Sequence, residues 1–213
     1  RPVEFEAVEP WSAPISTKEV LSLISDGVNS VCSLPSHGDV VVALWALWTY
    51  VFDQFHTAPM LRLTSPEKRC GKTTLLDFML KVVRDPMPAS NCTPAATFRL
   101  IEQYKPTLLI DEADTFVRGN QELTGIINGG HTKAAAYVIR TVGEGSNLDV
   151  RRFSTWAPKL IAGIGKVTDT IEDRSITLRL QRKSSGVRLK RVSRFHDRDL
   201  KAKLKRWADD NAE

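Results

Sequence analysis

An α/β fold with a parallel central sheet is what this sequence predicts, and two stretches carry the prediction. The first is Leu61 to Leu76, LRLTSPEKRCGKTTLL. Met60, Leu61 and Leu63 form a short apolar strand pattern, Ser65-Pro66 a turn, and Gly71-Lys72-Thr73-Thr74 leads into an apolar helix start at Leu75, Leu76, Phe78 and Met79. Strand, loop and helix in that order are the setting of a phosphate-binding loop. The second stretch is Thr107-Leu108-Leu109-Ile110-Asp111-Glu112, an apolar run that reads as a buried parallel strand and ends in two acids. Open α/β sheets bind ligands at the carboxyl ends of their strands.

The chemistry follows from these residue types. In such a loop, successive backbone N–H groups converge on one point, and the helix N-terminus adds partial positive charge there. The expected cradle is Pro66, Glu67, Lys68, Arg69, Cys70, Gly71, Lys72, Thr73 and Thr74. Lys72 is expected to reach the β- and γ-phosphates and the Thr73 hydroxyl to hold Mg²⁺. Pro66 stands where the general G-x-x-x-x-G-K-[ST] pattern has its first glycine. Its φ, fixed at about −65°, makes the chain enter the loop by a different turn. Asp111 is expected in the Mg²⁺ shell, and Glu112 as the base that polarises an attacking water. Acid pairs of this kind favour a hydrolase over a small-molecule kinase, because only the hydrolase needs a base for water. ATP with Mg²⁺ is therefore the expected ligand.

Composition sets bounds. A chain of 213 residues, 42% of them hydrophobic, suits one α/β domain with an added helical piece. Its most apolar stretch, Val40 to Phe52, is too short to span a membrane and reads as a buried helix. The chain starts at Arg1 without a signal peptide and reads as a piece of something longer. Cys32, Cys70 and Cys92 form neither a metal spacing nor an even disulfide set, which favours a reducing, cytoplasmic setting. Cys70 is either merely small enough for the loop or a thiol activated by the loop's field. Of 30 basic residues, eleven lie between Arg182 and Arg206 against two of the 25 acids; the remainder is mildly acidic, with 19 against 23. A basic tail suggests a polyanionic partner or a solvated helix face.

Taken in order, residues 1–14 are Pro-punctuated and acidic and read as a linker or arm. Ser16-x-x-Glu19 is a capping box for a helix with Val20, Leu21, Leu23, Ile24 and Val28 on its apolar side. Ser36 to Asp39 opens a second helix expected to reach about Phe55, its aromatics packed as core. Together, residues 15–58 form a helical pair on the core. After the loop helix, Pro86 and Pro88 are read as its end, and Ala89 to Cys92 as a short strand. Thr93-Pro94 caps a helix to about Tyr104. Glu122 to Asn128 reads as a short helix closed by Gly129-Gly130. A β-hairpin over about 134–156 carries Arg140, Arg151 and Arg152, candidate nucleic-acid contacts. His131 either approaches the ligand or is structural. Lys159 to Gly165 and Ile176 to Leu180 read as further strands, with a short helix at Thr168 to Asp173 and Arg174 between. The core so defined is 59–183, followed by a basic C-terminal helical segment, 184–213, with Leu200, Leu204 and Trp207 as its seam.

SPEKRCGKTTLL, PTLLIDEADTF, INGGHTKAAAYVIRTVG, STWAPKLIAGIG and DTIEDRSITLRLQRK together resemble the DUF3631 domain, a P-loop ATPase domain of phage and mobile-element proteins. The resemblance runs from about Trp11 to Trp207, and the proline in the loop is part of that family's pattern. More distantly the layout is similar to AAA+ ATPases and hexameric helicases. The resemblance implies a Mg²⁺-dependent ATPase in a bacterial or phage-infected cytoplasm. It implies a homo-oligomer, as in a hexameric ring, acting on nucleic acid, with primase-like regions fused or associated. Lys72 and Thr73 match the Walker A pair, Asp111 and Glu112 the Walker B pair, and Arg174 the place of an arginine finger; a structural Arg174, paired with Asp173 or Asp114, is the alternative. The expected sensor position falls within Gly163 to Thr168. An ATP-dependent switch or assembly module with little turnover is the alternative function.

Overall fold

The computed structural model describes residues 3–89, 92–113, 120–143, 148–196 and 198–212. Two helices come first, α1 (Thr17–Val31) and α2 (Gly38–Trp48). Strand β1 (Met60–Ser65) then feeds α3 (Lys72–Val82), β2 (Pro86–Pro88), α4 (Pro94–Tyr104) and β3 (Thr107–Ile110). Helix α5 (Gln121–Gly129) leads to the hairpin β4 (Tyr137–Val142) and β5 (Asp149–Ser154). The chain closes with β6 (Lys159–Ile164), α6 (Asp169–Asp173), β7 (Ser175–Arg179) and α7 (Arg198–Asn211).

Five strands form one parallel sheet in the order β2-β3-β6-β1-β7. The strand alternation sorts side chains to two cores. Leu61, Leu63, Leu109, Leu160, Ala162 and Leu178 face α1, α2, α3 and α7. Met60, Leu108, Ile110 and Ile161 face Phe98 and Ile101 of α4 and Leu123 and Ile126 of α5. With helices on both faces, β3 is buried along its length, which is why it reads as an unbroken apolar run.

Two expectations shift. The short strand is β2 itself, Pro86 to Pro88, rather than Ala89 to Cys92, of which residues 90 and 91 lie outside the described set. Pro86 and Pro88 pair with Thr107 and Leu109 at the sheet's edge, where a missing N–H costs nothing on the open side. The second helix stops at Trp48 instead of continuing to Phe55. There the Thr49 hydroxyl donates to the Ala46 carbonyl (2.6 Å) and accepts from the Arg84 N–H (3.1 Å), tying the helix end to the chain beyond α3. Trp45 and Phe52 are core as expected, but Phe55 is exposed.

The capping signals hold. Ser16 accepts from the Glu19 N–H and Thr93 from the Ala96 N–H, with Pro94 at the start of α4. Helix α7 buries Leu200, Leu204 and Trp207. Its cations are used within the chain: Lys201 pairs with Glu6 (3.2 Å), Lys203 with Glu19 (3.4 Å), and Lys205 donates to the Val8 carbonyl (2.9 Å). The acidic N-terminal arm is thus strapped along the basic helix, and Trp11 N–H donates to the Ala202 carbonyl.

At the root of the hairpin, Lys159 opens β6 with its side chain buried. Its Nζ donates to the carbonyls of Thr155 (2.9 Å) and Ala157 (3.1 Å) and packs against Gly130, where no Cβ would fit. Burial lowers its pKa from 10.5 to about 7. Below pH 7 folded and unfolded chains both carry this proton, so the cost of burying the charge is present in full. Between about pH 7 and 10.5 only the unfolded chain holds it, and stability rises with pH. Denaturant midpoints measured across that range should climb for the native chain and climb less for Lys159→Met.

Candidate nucleotide site

Ser65 ends β1, and the chain turns through Pro66 into an exposed loop, Pro66 to Arg69. Two left-handed residues shape it, Arg69 at φ 66° and Gly71 at φ 89°. Gly71 then caps α3, its carbonyl accepting from the Leu75 N–H at 2.9 Å. A non-glycine residue at Gly71 would be strained whatever the space around it. Inside the loop the Lys72 ammonium donates to the Ser65 hydroxyl, which in turn donates to the Glu67 carbonyl at 2.6 Å. Ser65 therefore holds the lysine across the mouth of the loop. Sequence reasoning saw Ser65 only as a turn residue; its place as the last, buried residue of the strand before the loop was the available signal.

Both thiols near the loop are buried. Cys70 points its sulfur at the Lys68 carbonyl, 3.9 Å away, as a weak donor inside the loop. Cys32, at the end of α1, lies 3.8 Å from the Gly71 carbonyl. Burial pushes its thiol up to about 11, so it stays protonated and apolar in character.

The two acids sit at the carboxyl end of β3. Asp111 accepts from the Glu112 N–H at 2.9 Å, and Glu112 takes a left-handed conformation at φ 51°. Such backbone in a non-glycine residue is uncommon. Here it directs an exposed carboxylate off the strand end. Because β6 lies between β1 and β3, the acids are set two strand spacings, roughly 10 Å, from the loop strand. One cleft of about 1100 Å³ is lined by Lys68 through Thr74, by Asp111 and Glu112, and by Gly163 and Ile164 at the end of β6. Thr73 is exposed in it and Asp111 half-buried, two oxygen donors on one cleft.

The end of β6 is braced from below. Arg62, buried on β1, donates from Nη2 to the Gly165 carbonyl (2.7 Å) and pairs through Nη1 with Glu172 of α6 (3.1 Å). Gly163 and Ile164 line the cleft, while Lys166 and Thr168, the polar side chains of the expected sensor stretch, are outside its lining; Thr168 instead caps α6.

Three expected contributors lie elsewhere. Arg174 precedes β7, whose first residue pairs with Met60, the first of β1. It is thus at the opposite end of the sheet from its own loop, roughly 17 Å along the strand. Its Nη1 donates to the Asn128 carbonyl at the end of α5 (2.7 Å); Asp114, an expected partner, is outside the described residues. His131, with its proton on Nδ1, donates to the Ala58 carbonyl (3.2 Å), and its own carbonyl accepts from the Ala58 N–H, a structural tie away from the cleft. The hairpin arginines differ from one another. Arg140 faces α4 and α5, pairing with Glu122 (2.5 Å) and covering Phe98, and Arg151 pairs with Asp149 (3.0 Å). Arg152 lies over the exposed Tyr137 ring at 4.7 Å and, among the described residues, has no carboxylate partner.

Sheet, loop and acid-tipped strand define an α/β domain of the P-loop NTPase-like class. No protein-family model matches the chain, and no curated protein does. Among solved structures it is similar to the apo NrS-1 C-terminal region, at 12% identity and a TM-score of 0.47 over 94% of this chain. It is also similar to the JCV helicase, at 16% identity and a TM-score of 0.43 over 76%, and to the inhibitor-bound JCV helicase, at 14% and 0.45 over 77%. The chain spans 46%, 45% and 46% of those three chains, less than half the length of each.

Replacing Gly71 by Ala should cost roughly 1–2 kcal/mol in denaturant unfolding, the left-handed penalty of a Cβ-bearing residue. A cost near zero would mean that the loop relaxes to another conformation.

Proposed function

We propose that the chain is a Mg²⁺-dependent ATPase. The observation that carries the reading is one cleft in which a GKT loop meets two carboxylates from the end of β3, a parallel strand one strand removed from β1. The donor set fits the ion. Mg²⁺ takes one or two protein oxygens, keeps several waters and completes its shell with phosphate oxygens. Thr73 and Asp111 offer such oxygens, and among the described residues no cluster of three or more metal-binding side chains competes with them. When bound, the ion neutralises charge on the β- and γ-phosphate oxygens.

The chain's own residues would act as follows. Lys72 leaves the Ser65 hydroxyl for the phosphates, and Ser65 keeps its bond to the Glu67 carbonyl. Glu112 holds the attacking water and takes its proton. Arg174 cannot reach the phosphates of its own loop, so a role in hydrolysis requires a second copy, which is the oligomeric reading. The hairpin's outer face, with Tyr137 beneath Arg152 and Ile139 beside it, presents an aromatic and a cation without a carboxylate partner among the described residues, groups of the kind that single-stranded nucleic acid uses. Arg140 and Arg151 are engaged with carboxylates and are secondary there. Membership of the DUF3631 group, and action as an oligomeric, helicase-like motor, go with this reading.

Phosphate release from Mg-ATP tests it, with and without single-stranded DNA. Glu112→Gln should keep ATP binding and lose about 10²–10⁴-fold in turnover, the usual scale for a lost base. Lys72→Ala should lose binding as well. Arg174→Ala alone should be slow, and mixing it with Glu112→Gln subunits should restore activity above either parent. Tight ATP binding with negligible turnover, with or without DNA, would instead favour the switch reading.

A further inference from the structure

Helix α6 has little of its own to hold it in place. Its five residues, Asp169 to Asp173, are far fewer than a stable isolated helix needs, and its capping residue, Thr168, makes no side-chain bond to it. Its position is set by ties to the rest of the fold. Ile171 is buried in the core shared with α4 and α5, and its carbonyl accepts from the Ser175 hydroxyl (2.5 Å). The remaining tie is Glu172, which pairs with the buried Arg62 (3.1 Å). Arg174 follows the last residue of this helix directly.

Strand β1 holds both sides of the arrangement. The Met60 N–H donates to the Arg174 carbonyl (3.0 Å). Two residues on, Arg62 sends its terminal nitrogens to different segments, Nη1 to Glu172 and Nη2 to the Gly165 carbonyl. Gly165 directly follows Gly163 and Ile164, which line the cleft. One planar fork thus joins the end of β6 to α6, a geometry that a guanidinium supplies and a point charge does not. The same strand ends at Ser65, which holds Lys72 in the loop. The frame of the chain's own loop is therefore also the frame of Arg174.

We propose that Arg62, acting through Glu172, is a positioning residue for Arg174: it fixes the direction in which α6 presents that arginine to the phosphates of a neighbouring copy. The inference rests on the reading of Arg174 as acting across a contact between copies. In the single chain the Arg174 guanidinium donates to the Asn128 carbonyl (2.7 Å), a neutral acceptor, and a phosphate is the stronger partner. Once the side chain leaves Asn128, what still aims it is its backbone, held by Met60 on one side and by α6 on the other. Glu172 is half-exposed, so it can be replaced without opening the core, whereas Arg62 cannot. Through its second nitrogen the same guanidinium holds Gly165, so one buried cation sets both the end of β6 in one cleft and the arginine lent to the next.

Mixed-subunit phosphate release from Mg-ATP, with calorimetric ATP binding, tests the assignment on the full chain. Glu172→Ala should bind ATP like the native chain and lose about 10²-fold in turnover, the scale of a group misplaced by ~1 Å. Glu172→Gln, which keeps an acceptor for Arg62, should fall between the two. Mixing Glu172→Ala with Glu112→Gln should raise activity above either parent, because one supplies the base and the other a well-aimed arginine. Mixing Glu172→Ala with Arg174→Ala should give no gain, because both lack the same contribution. Native turnover in Glu172→Ala, loss of its ATP binding, or rescue by Arg174→Ala in place of Glu112→Gln would each overturn the proposal; the last would put the bridge to work in its own cleft. If Arg174→Ala is itself not rescued by Glu112→Gln, the reading of Arg174 across copies fails first, and the positioning role with it.

Discussion

The parallel register of β1, β6 and β3 is the constraint on which the rest depends. Leu61 pairs with Leu160 and Leu109 with Leu160, so three strands run level and end at one edge. A parallel sheet must bury both faces, and here α1, α2, α3 and α7 cover one and α4, α5 and α6 the other. That enclosure leaves the carboxyl edge as the place where polar backbone and side chains can emerge. The loop after β1 and the acids after β3 emerge there, separated by the width of β6.

Two buried cations serve that edge and its opposite. Arg62 is offset by Glu172 and by a carbonyl, and it holds Gly165 where the chain leaves β6. Removing Glu172 would leave the buried Arg62 without its counter-charge, which is costlier than the pair is worth. Among the described residues Lys159 has carbonyls alone for partners, and burial lowers its pKa. It ties the root of the hairpin to the end of α5, whose last carbonyls also receive Arg174. The hairpin, α5 and the start of β7 thus meet at one polar junction remote from the cleft at the loop.

Charge that looked like one basic tail divides into two uses. The part in α7 pairs with acids of the N-terminal arm and of α1, Lys201 with Glu6 and Lys203 with Glu19. Exposed pairs of this kind contribute little singly, so the strap depends also on Trp11 and on backbone bonds such as Lys205 to Val8. Of the rest, Lys183, Lys190 and Arg191 lie along the cleft. Composition treats the parts alike; packing separates them.

The sequence by itself determined the loop, the acid-tipped strand, the capped helices at Ser16 and Thr93 and the hairpin, because each rests on contacts within a few residues. Local hydrogen bonds and strand or helix periodicity are legible at that range. It misplaced the edge strand, since Pro86 and Pro88 are breakers everywhere except on an unpaired edge, and edge position is a property of the whole sheet. It extended α2 too far, since Thr49 ends the helix through a partner 35 residues away. Only the tertiary structure decided that Ser65 holds Lys72, that Arg174 points to Asn128, and that Gln181, Lys183 and Leu189 to Ser193 border the cleft. Those are contacts between segments far apart in the chain, fixed by strand order and helix packing, and no local pattern encodes them.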